Sequence, residues 1–344
     1  NYFEFSQRID GIPSHRLLAI LRGVAQGALS ARIDVRSDYA IERIERNVYS
    51  SIRRRPTAGC KAFMTEAITD SYKRLLHPSI ENEALAIAKE AADLAAIRVF
   101  GENLRQLLLA APVGQKRTLA IDPGFRTGCK VVCLDAQGRL LHNETIYPHP
   151  PVSEKILSMK KLENMLEAYR IAVIAIGNGT AGRETEDFIR KMGVPEGVRV
   201  FSVSEDGASV YSASKLGAEE FPDFDVSVRS AVSIARRLQD PLSELVKIDP
   251  KSIGVGQYQH DMKPASLDSS LTGVVEDCVN RVGVDINTAS YSLLSYISGI
   301  NATSAKNIVK YREENGEFTS RKQILKVNKI GEKAYLQCAG FLRI

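Results

Sequence analysis

Residues 118–141, TLAIDPGFRTGCKVVCLDAQGRLL, restrict the fold more than any other stretch of the chain. Leu119, Ala120 and Ile121 make a short apolar strand that Asp122 ends, and Pro123-Gly124 then break the chain. Residues 128–134 read as a second apolar strand, Asp135, Gln137 and Gly138 as a turn, and residues 139–147 as a third strand. A carboxylate at the tip of a central strand, followed by a glycine turn and a strand hairpin, can hold a metal ion over a nucleic-acid backbone. Its plainer role is to cap a tight turn, and this segment alone favours the plainer role.

The following residues extend the pattern. Pro148, Pro150 and Pro151 close the hairpin. Residues 153–169 have helical spacing, with Ile156, Leu157, Leu162, Met165, Leu166 and Tyr169 on the apolar side. Residues 171–176 are an all-apolar strand, as expected where both faces are covered, and residues 198–203 are another apolar strand. Between them lie the loop GNGTAG and a helix over 183–192; helices over 208–216 and 227–238 follow. Three hairpin-linked strands followed by two α/β crossovers is the order of a ribonuclease H-like fold with a mixed sheet.

In such a fold, carboxylates at two strand ends and on a later helix converge on Mg²⁺ or Mn²⁺. Asp122 ends the first strand and Glu205 follows the last. The third acid belongs early on the helix over 227–238, but the sequence there reads VSVRSA. Asp225 just before that helix and Asp240 at its far end are the remaining candidates, and Arg229 is expected to repel a metal ion. Glu184, Glu186 and Asp187 open the preceding helix, where compensation of the helix dipole accounts for the latter two. GNGTAG could cradle a phosphate but lacks the Gly-Lys-Ser/Thr of a Walker A loop, and reads more simply as a turn.

Residues 1–112 read as helical and carry no catalytic signature. Ser14 is a candidate cap for a helix with Leu17, Leu18 and Leu21 on its apolar side. Ile41, Ile44, Val48 and Ile52 keep helical spacing up to Arg53-Arg54-Arg55, read as a solvated helix end, and long helices are expected over 60–76 and 80–109. No apolar run reaches membrane-spanning length, and the first residues do not form a signal peptide. The five cysteines form no CxxC or zinc pattern, which suits reduced thiols in a cytoplasmic protein. The net charge of +5 permits a nucleic-acid partner without requiring one. The five histidines are scattered and are expected to be structural or surface residues.

Residues 251–344 carry an odd polar stretch, IGVGQYQH, then a helix over 267–282, then a weak internal repeat. Ser-Gly299-Ile300-Asn301 leads into one helix and Asn-Lys329-Ile330-Gly331 into another. Each copy reads as a helix, a tight apolar-glycine hairpin and a second helix. Backbone N–H groups at such a hairpin bind a phosphate and read no base, so they position rather than specify. Gly299, Ile300, Asn301 and Gly331 are the hairpin candidates; Lys306 and Lys310 follow the first copy, and Lys329 and Lys333 flank the second. Asn301 and Lys329 each stand where a glycine is expected. Asn tolerates a left-handed backbone better than Lys, which favours the first copy.

IDPGFRTGCKV, AIGNGTAGRETE, VSEDGASVYSAS, RRLQDPLSELVKIDPKSIGVGQYQHD and VEDCVNRVGVDINTAS together resemble the Tex family of bacterial transcription accessory proteins. The resemblance covers essentially the whole chain. It implies a central helical region over 1–112, a YqgF-like, resolvase-related domain over 113–250 and a linker helix with a tandem helix-hairpin-helix module over 251–344. It further implies a fragment without the family's N-terminal part and C-terminal OB-type RNA-binding domain. The expected function is a monomeric, largely non-catalytic factor that binds RNA or DNA backbone, needs no cofactor and works beside RNA polymerase. The alternatives are a metal-dependent nuclease using Asp122, Glu205 and Asp225 or Asp240, and a protein-interaction scaffold.

Overall fold

The computed structural model describes residue 2, residues 4–52 and residues 56–344; the Arg53-Arg54-Arg55 run lies outside the described residues. The chain divides into two compact units. The first comprises residues 1–99 with 258–263, and the second residues 100–257 with 264–344. Among the described residues no helix is long and apolar enough to cross a membrane.

The first unit is helical. α1 is Ser14–Ala25, α2 Ser37–Ser50 and α3 Ala58–Ser71. Ser14 is not a cap: Pro13 holds that position, and no side chain caps the helix. The break expected near residue 77 is also absent. α3 passes through one widened turn, Tyr72–Leu76, into α4, His77–Leu108. The widened turn falls where Pro78 withholds its N–H from the helical ladder.

In the second unit, β1 (Thr118–Asp122), β2 (Cys129–Leu134) and β3 (Leu140–Ile146) form an antiparallel meander. α5 (Lys155–Ala168) crosses to β4 (Val173–Gly177), and α6 (Gly182–Met192) crosses to β5 (Arg199–Val203). The sheet order is β3-β2-β1-β4-β5, with β4 parallel to both β1 and β5. This is the mixed sheet of a ribonuclease H-like fold. Alternation decides its two cores. Leu119, Ile121, Cys129, Val131, Cys133, Ile174 and Ile176 face α5 and α6. Ala120, Val132, Leu134 and Ala175 face a helix described below. The strand expected over 198–203 is β5, an edge strand with Arg199, Val200 and Ser202 exposed; one expectation fails, in that Ile156 and Leu157 of α5 point to solvent.

α7 (Ala208–Ala213) and α8 (Lys215–Glu220) lead to α9 (Val226–Gln239), which lies on the second face of the sheet. Ala231, Val232, Ile234 and Ala235 are all fully buried there. Small residues bring the helix close, and burial of Ile234 alone contributes about 1.5–3 kcal/mol. α10 (Pro241–Leu245) follows. The IGVGQYQH stretch opens as a strap rather than a helix: a Cβ on Gly256 would fall 1.7 Å from the Phe100 ring, and Asn103 donates to the Val255 carbonyl at 2.8 Å.

α11 (Pro264–Val282) begins the C-terminal part. β6 (Val284–Asp285) pairs in parallel with β7 (Leu342–Arg343) and closes it. Between them run α12 (Tyr291–Leu294), α13 (Ala302–Asn315), a 3₁₀ helix at Arg321–Lys326 and α14 (Glu332–Cys338). Each hairpin of the repeat therefore lies between a short helical turn and a second helix.

Candidate nucleic-acid interface and carboxylate pair

The sheet brings Asp122 and Glu205 together and leaves the other candidate acids elsewhere. Asp122 ends β1, next to β4. Glu205 lies beyond β5 and reaches back over the loop after β4. The N–H of Gly179 lies close to its carboxylate and lowers its pKa. A Cβ on Gly179 would lie 1.4 Å from Glu205 Oε1, and one on Gly177 2.7 Å from Oε2. The GNGTAG loop thus holds a carboxylate with the amide that the phosphate reading required. Burial raises the Glu205 pKa first, and the charge of Asp122 raises it further. Burial also raises the Asp122 pKa, against the Ser230 side chain and the charge of Lys130, which lower it.

Ser230 is therefore the α9 residue that meets Asp122. Arg229, one residue earlier, turns aside: its guanidinium donates to the carbonyls of Phe221 at 3.0 Å and Ser212 at 3.4 Å. The expectation that it repels cations at Asp122 is corrected, because successive helix residues differ by ~100°. The buried Arg237, two turns on, donates to the carbonyls of Ser204 and Asp206 at 2.9 and 2.8 Å and so fixes the loop that carries Glu205.

Asp225 and Asp240 are helix caps. Asp225 Oδ1 accepts from Ser227 Oγ at 2.6 Å, which most holds its pKa down, and from Val228 N at 3.0 Å and Ser227 N at 2.8 Å. Asp240 accepts from Ser243 N at 3.1 Å and caps α10, at the opposite end of α9 from Asp225. With ~1.5 Å of rise per residue, α9 puts about 20 Å between these two ends. Glu186 and Asp187 pair with Arg190 at 2.9 and 3.4 Å. Among the described residues no three His, Cys, Asp or Glu side chains gather to hold a metal ion. The residues present offer Mg²⁺ or Mn²⁺ two carboxylates and a serine, which does not fit the three-acid set.

One network escaped the reading of the sequence. His149 is buried, with Nε2 at 2.8 Å from Thr185 Oγ1, and Thr185 Oγ1 lies 3.8 Å from Cys129 Sγ. Cys129 donates in turn to the Gly124 carbonyl, so the chain of contacts ends in the loop after Asp122. Phe125 and Phe188 stand edge-on to the imidazole. Burial lowers the His149 pKa, partly offset by the charge of Glu184. Pro148-His149-Pro150 was the available signal, since prolines on both sides fix where the ring points.

The second constellation is the repeat. Gly299 takes the left-handed backbone at φ 82°, and Lys329 takes the matching place at φ 67°. The expectation for Asn301 is corrected: its φ is −93°, and its side chain caps α13 by accepting from Ser304 N at 2.9 Å. Gly331 has the same extended backbone at φ −98°. The two copies lock together. Ser304 Oγ reaches the Lys329 carbonyl at 3.5 Å and Asn307 the Asn328 carbonyl at 2.9 Å. A Cβ on Gly299 would fall 2.7 Å from that of Gln337. The first-turn N–H groups of Ala302 and Thr303 have no acceptor within their helix, as for any helix start. Lys306 sits over the Tyr291 ring at 5.1 Å, and Lys310 lies 3.6 Å from Glu314.

Three family models match the chain in register with this architecture. Residues 1–100 match the Tex central region, 116–239 the Tex protein YqgF-like domain and 279–343 the helix-hairpin-helix motif. The chain belongs to the Tex family. It is 49% identical over its whole length to Transcriptional accessory protein Tex of Neisseria gonorrhoeae, covering 45% of that protein. It is 46% identical to Protein YhgF of Escherichia coli, again covering 45%. It is 41% identical to the human S1 RNA-binding domain-containing protein 1, of which it covers 35%. The chain thus spans less than half the length of these Tex-family relatives. The YqgF-like match ends at Gln239, the last residue of α9, so the helix bearing Ser230 belongs to the family's own domain.

Proposed function

We propose that this chain is the nucleic-acid-binding core of a transcription accessory factor, with a YqgF-like domain that serves as scaffold rather than nuclease. The observation that carries the reading is the interlocked pair of hairpins, one built on Gly299 and the other on Lys329. Each presents the start of a second helix, and their mutual packing fixes the spacing between them. Amides at two fixed points suit a phosphodiester backbone and no particular base. Lys306, Lys310, Lys329 and Lys333 add charge around them. The partners are RNA or DNA and, beside them, a transcription complex.

Binding of this kind weakens linearly in log affinity with log salt. Titration of labelled single-stranded RNA, single-stranded DNA and duplex DNA across a salt series tests it. A negative salt slope on at least one of these, little altered by base sequence, supports the reading. No binding to any of them at low salt overturns it and leaves a protein-docking scaffold.

The adjacency of Asp122 and Glu205 favours a second reading, a metal-dependent nuclease. Ser230 in the third position weighs against it, and the test is a denaturing gel of RNA and DNA substrates incubated in Mg²⁺ and Mn²⁺ beside Asp122→Asn.

A further inference from the structure

One face of α4 has no covering in the first unit. Ile80, Ile87 and Leu94 are 54%, 63% and 54% exposed, although they are large aliphatic side chains on a regular helix. They recur every seven residues, and Ala84 and Ala91 fill the places between them. At ~100° per residue these five share one side of α4, directly opposite the buried Ala92 and Asp93. The stripe is about 20 Å long at ~1.5 Å per residue. Small residues between large ones let a second helix approach closely, and seven-residue spacing is the pattern of a helix-on-helix seam. Glu83 and Glu90 flank the stripe on one side, and neither forms an ion pair among the described residues.

The buried core of this unit is small. Among the described residues of this unit, only Leu17, Leu18, Tyr72, Ala92, Ile97 and Met262 are buried apolar side chains, and α2 and α3 bury none. The bacterial relatives match this chain over its whole length and carry more than as much polypeptide again.

We propose that the Ile80–Ile87–Leu94 stripe is the seat of an amphipathic α-helix from that additional polypeptide. The docked helix has an apolar seam against the stripe and Lys or Arg residues beside Glu83 and Glu90. The stripe is thus an internal docking face of the longer protein.

The triple substitution Ile80→Gln, Ile87→Gln and Leu94→Gln tests this, because Gln keeps helix propensity while removing the apolar surface. It is made both in the 344-residue chain and in a polypeptide extended by the flanking sequence of the relatives. In the short chain the melting temperature holds within about 1 °C and the circular dichroism is unchanged, since nothing covers the stripe. In the extended polypeptide it falls by about 5 °C or more, and proteases cut the first unit faster. Glu83→Lys with Glu90→Lys destabilises the extended form alone. Equal behaviour of the two forms overturns the proposal. So does sedimentation of the short chain as a dimer that the triple substitution dissociates, because the occupant is then a second copy.

Discussion

Ser230 stands against the carboxyl of Asp122 from the helix packed on the sheet, where a third metal-binding acid was expected, and lowers its pKa against the effect of burial. Asp122 and Glu205 are two desolvated neighbouring carboxylates, whose charge Lys130 and Arg237 offset only in part. Burial raises both pKa values, and each carboxylate is the other's neighbour.

The sign of the resulting pH dependence follows. A carboxyl whose folded pKa lies above its unfolded value favours folding while protonated, below the unfolded pKa. That stability is lost as pH rises through the folded pKa. Asp122→Asn and Glu205→Gln are each expected to raise the melting temperature at pH 7 by about 2 °C, with the gain vanishing near pH 4. The double variant gains less than the sum, because either change relieves the other charge. Thermal melts between pH 4 and 8 check this.

Gly179→Ala pushes a methyl group into the Glu205 carboxylate. Only the end of a flexible side chain has to move, so the cost is about 1 kcal/mol, that of the lost Gly179 N–H contact. In a Glu205→Ala background the same substitution costs nothing measurable. Chemical denaturation of the four proteins in the cycle reads the coupling.

His149 behaves oppositely to the carboxylates. Its folded pKa is depressed by burial, so its contribution is present above the unfolded value of about 6.5 and is lost as pH falls through the folded value. His149→Asn is expected to lower stability at pH 7.5 and to flatten its decline below pH 6.5. Far-UV melts at both ends of that range distinguish the buried network from a surface histidine.

Much of this architecture was legible in the sequence, because strand alternation and glycine punctuation act locally. The order β-β-β-α-β-α-β, the carboxylate at the end of β1 and the two hairpins all follow from residues within a few positions of one another. The failures share a cause, which is orientation. Arg229 and Ser230 are neighbours in sequence, and only the packed phase of α9 decides which meets Asp122. Asp225 and Asp240 looked like candidate acids, yet Asp-Val-Ser and Asp-Pro-Leu-Ser are capping sequences that hold their own N–H groups. β5 is apolar in sequence but ends the sheet, so its burial was set by topology rather than by composition.

The backbone of the second hairpin supplies another prediction. Lys329 has φ 67°, a conformation that costs a side-chain-bearing residue about 1 kcal/mol and glycine little. Lys329→Gly is expected to stabilise the module by roughly 0.5–1 kcal/mol while weakening nucleic-acid binding modestly through the lost charge. Urea denaturation and a binding titration on the same sample separate the two effects.

The most direct test of the central claim is Asn301→Asp. Aspartate caps a helix as well as asparagine, so the bond to Ser304 N and the melting temperature are retained. The change places a full negative charge where a phosphate is expected to lie. Affinity for labelled RNA or DNA at low salt is measured beside the unaltered chain. The account predicts a fall of at least about tenfold, equivalent to ~1.4 kcal/mol, with an unchanged fold. Unchanged affinity in a folded variant would contradict it and remove the hairpin from the interface.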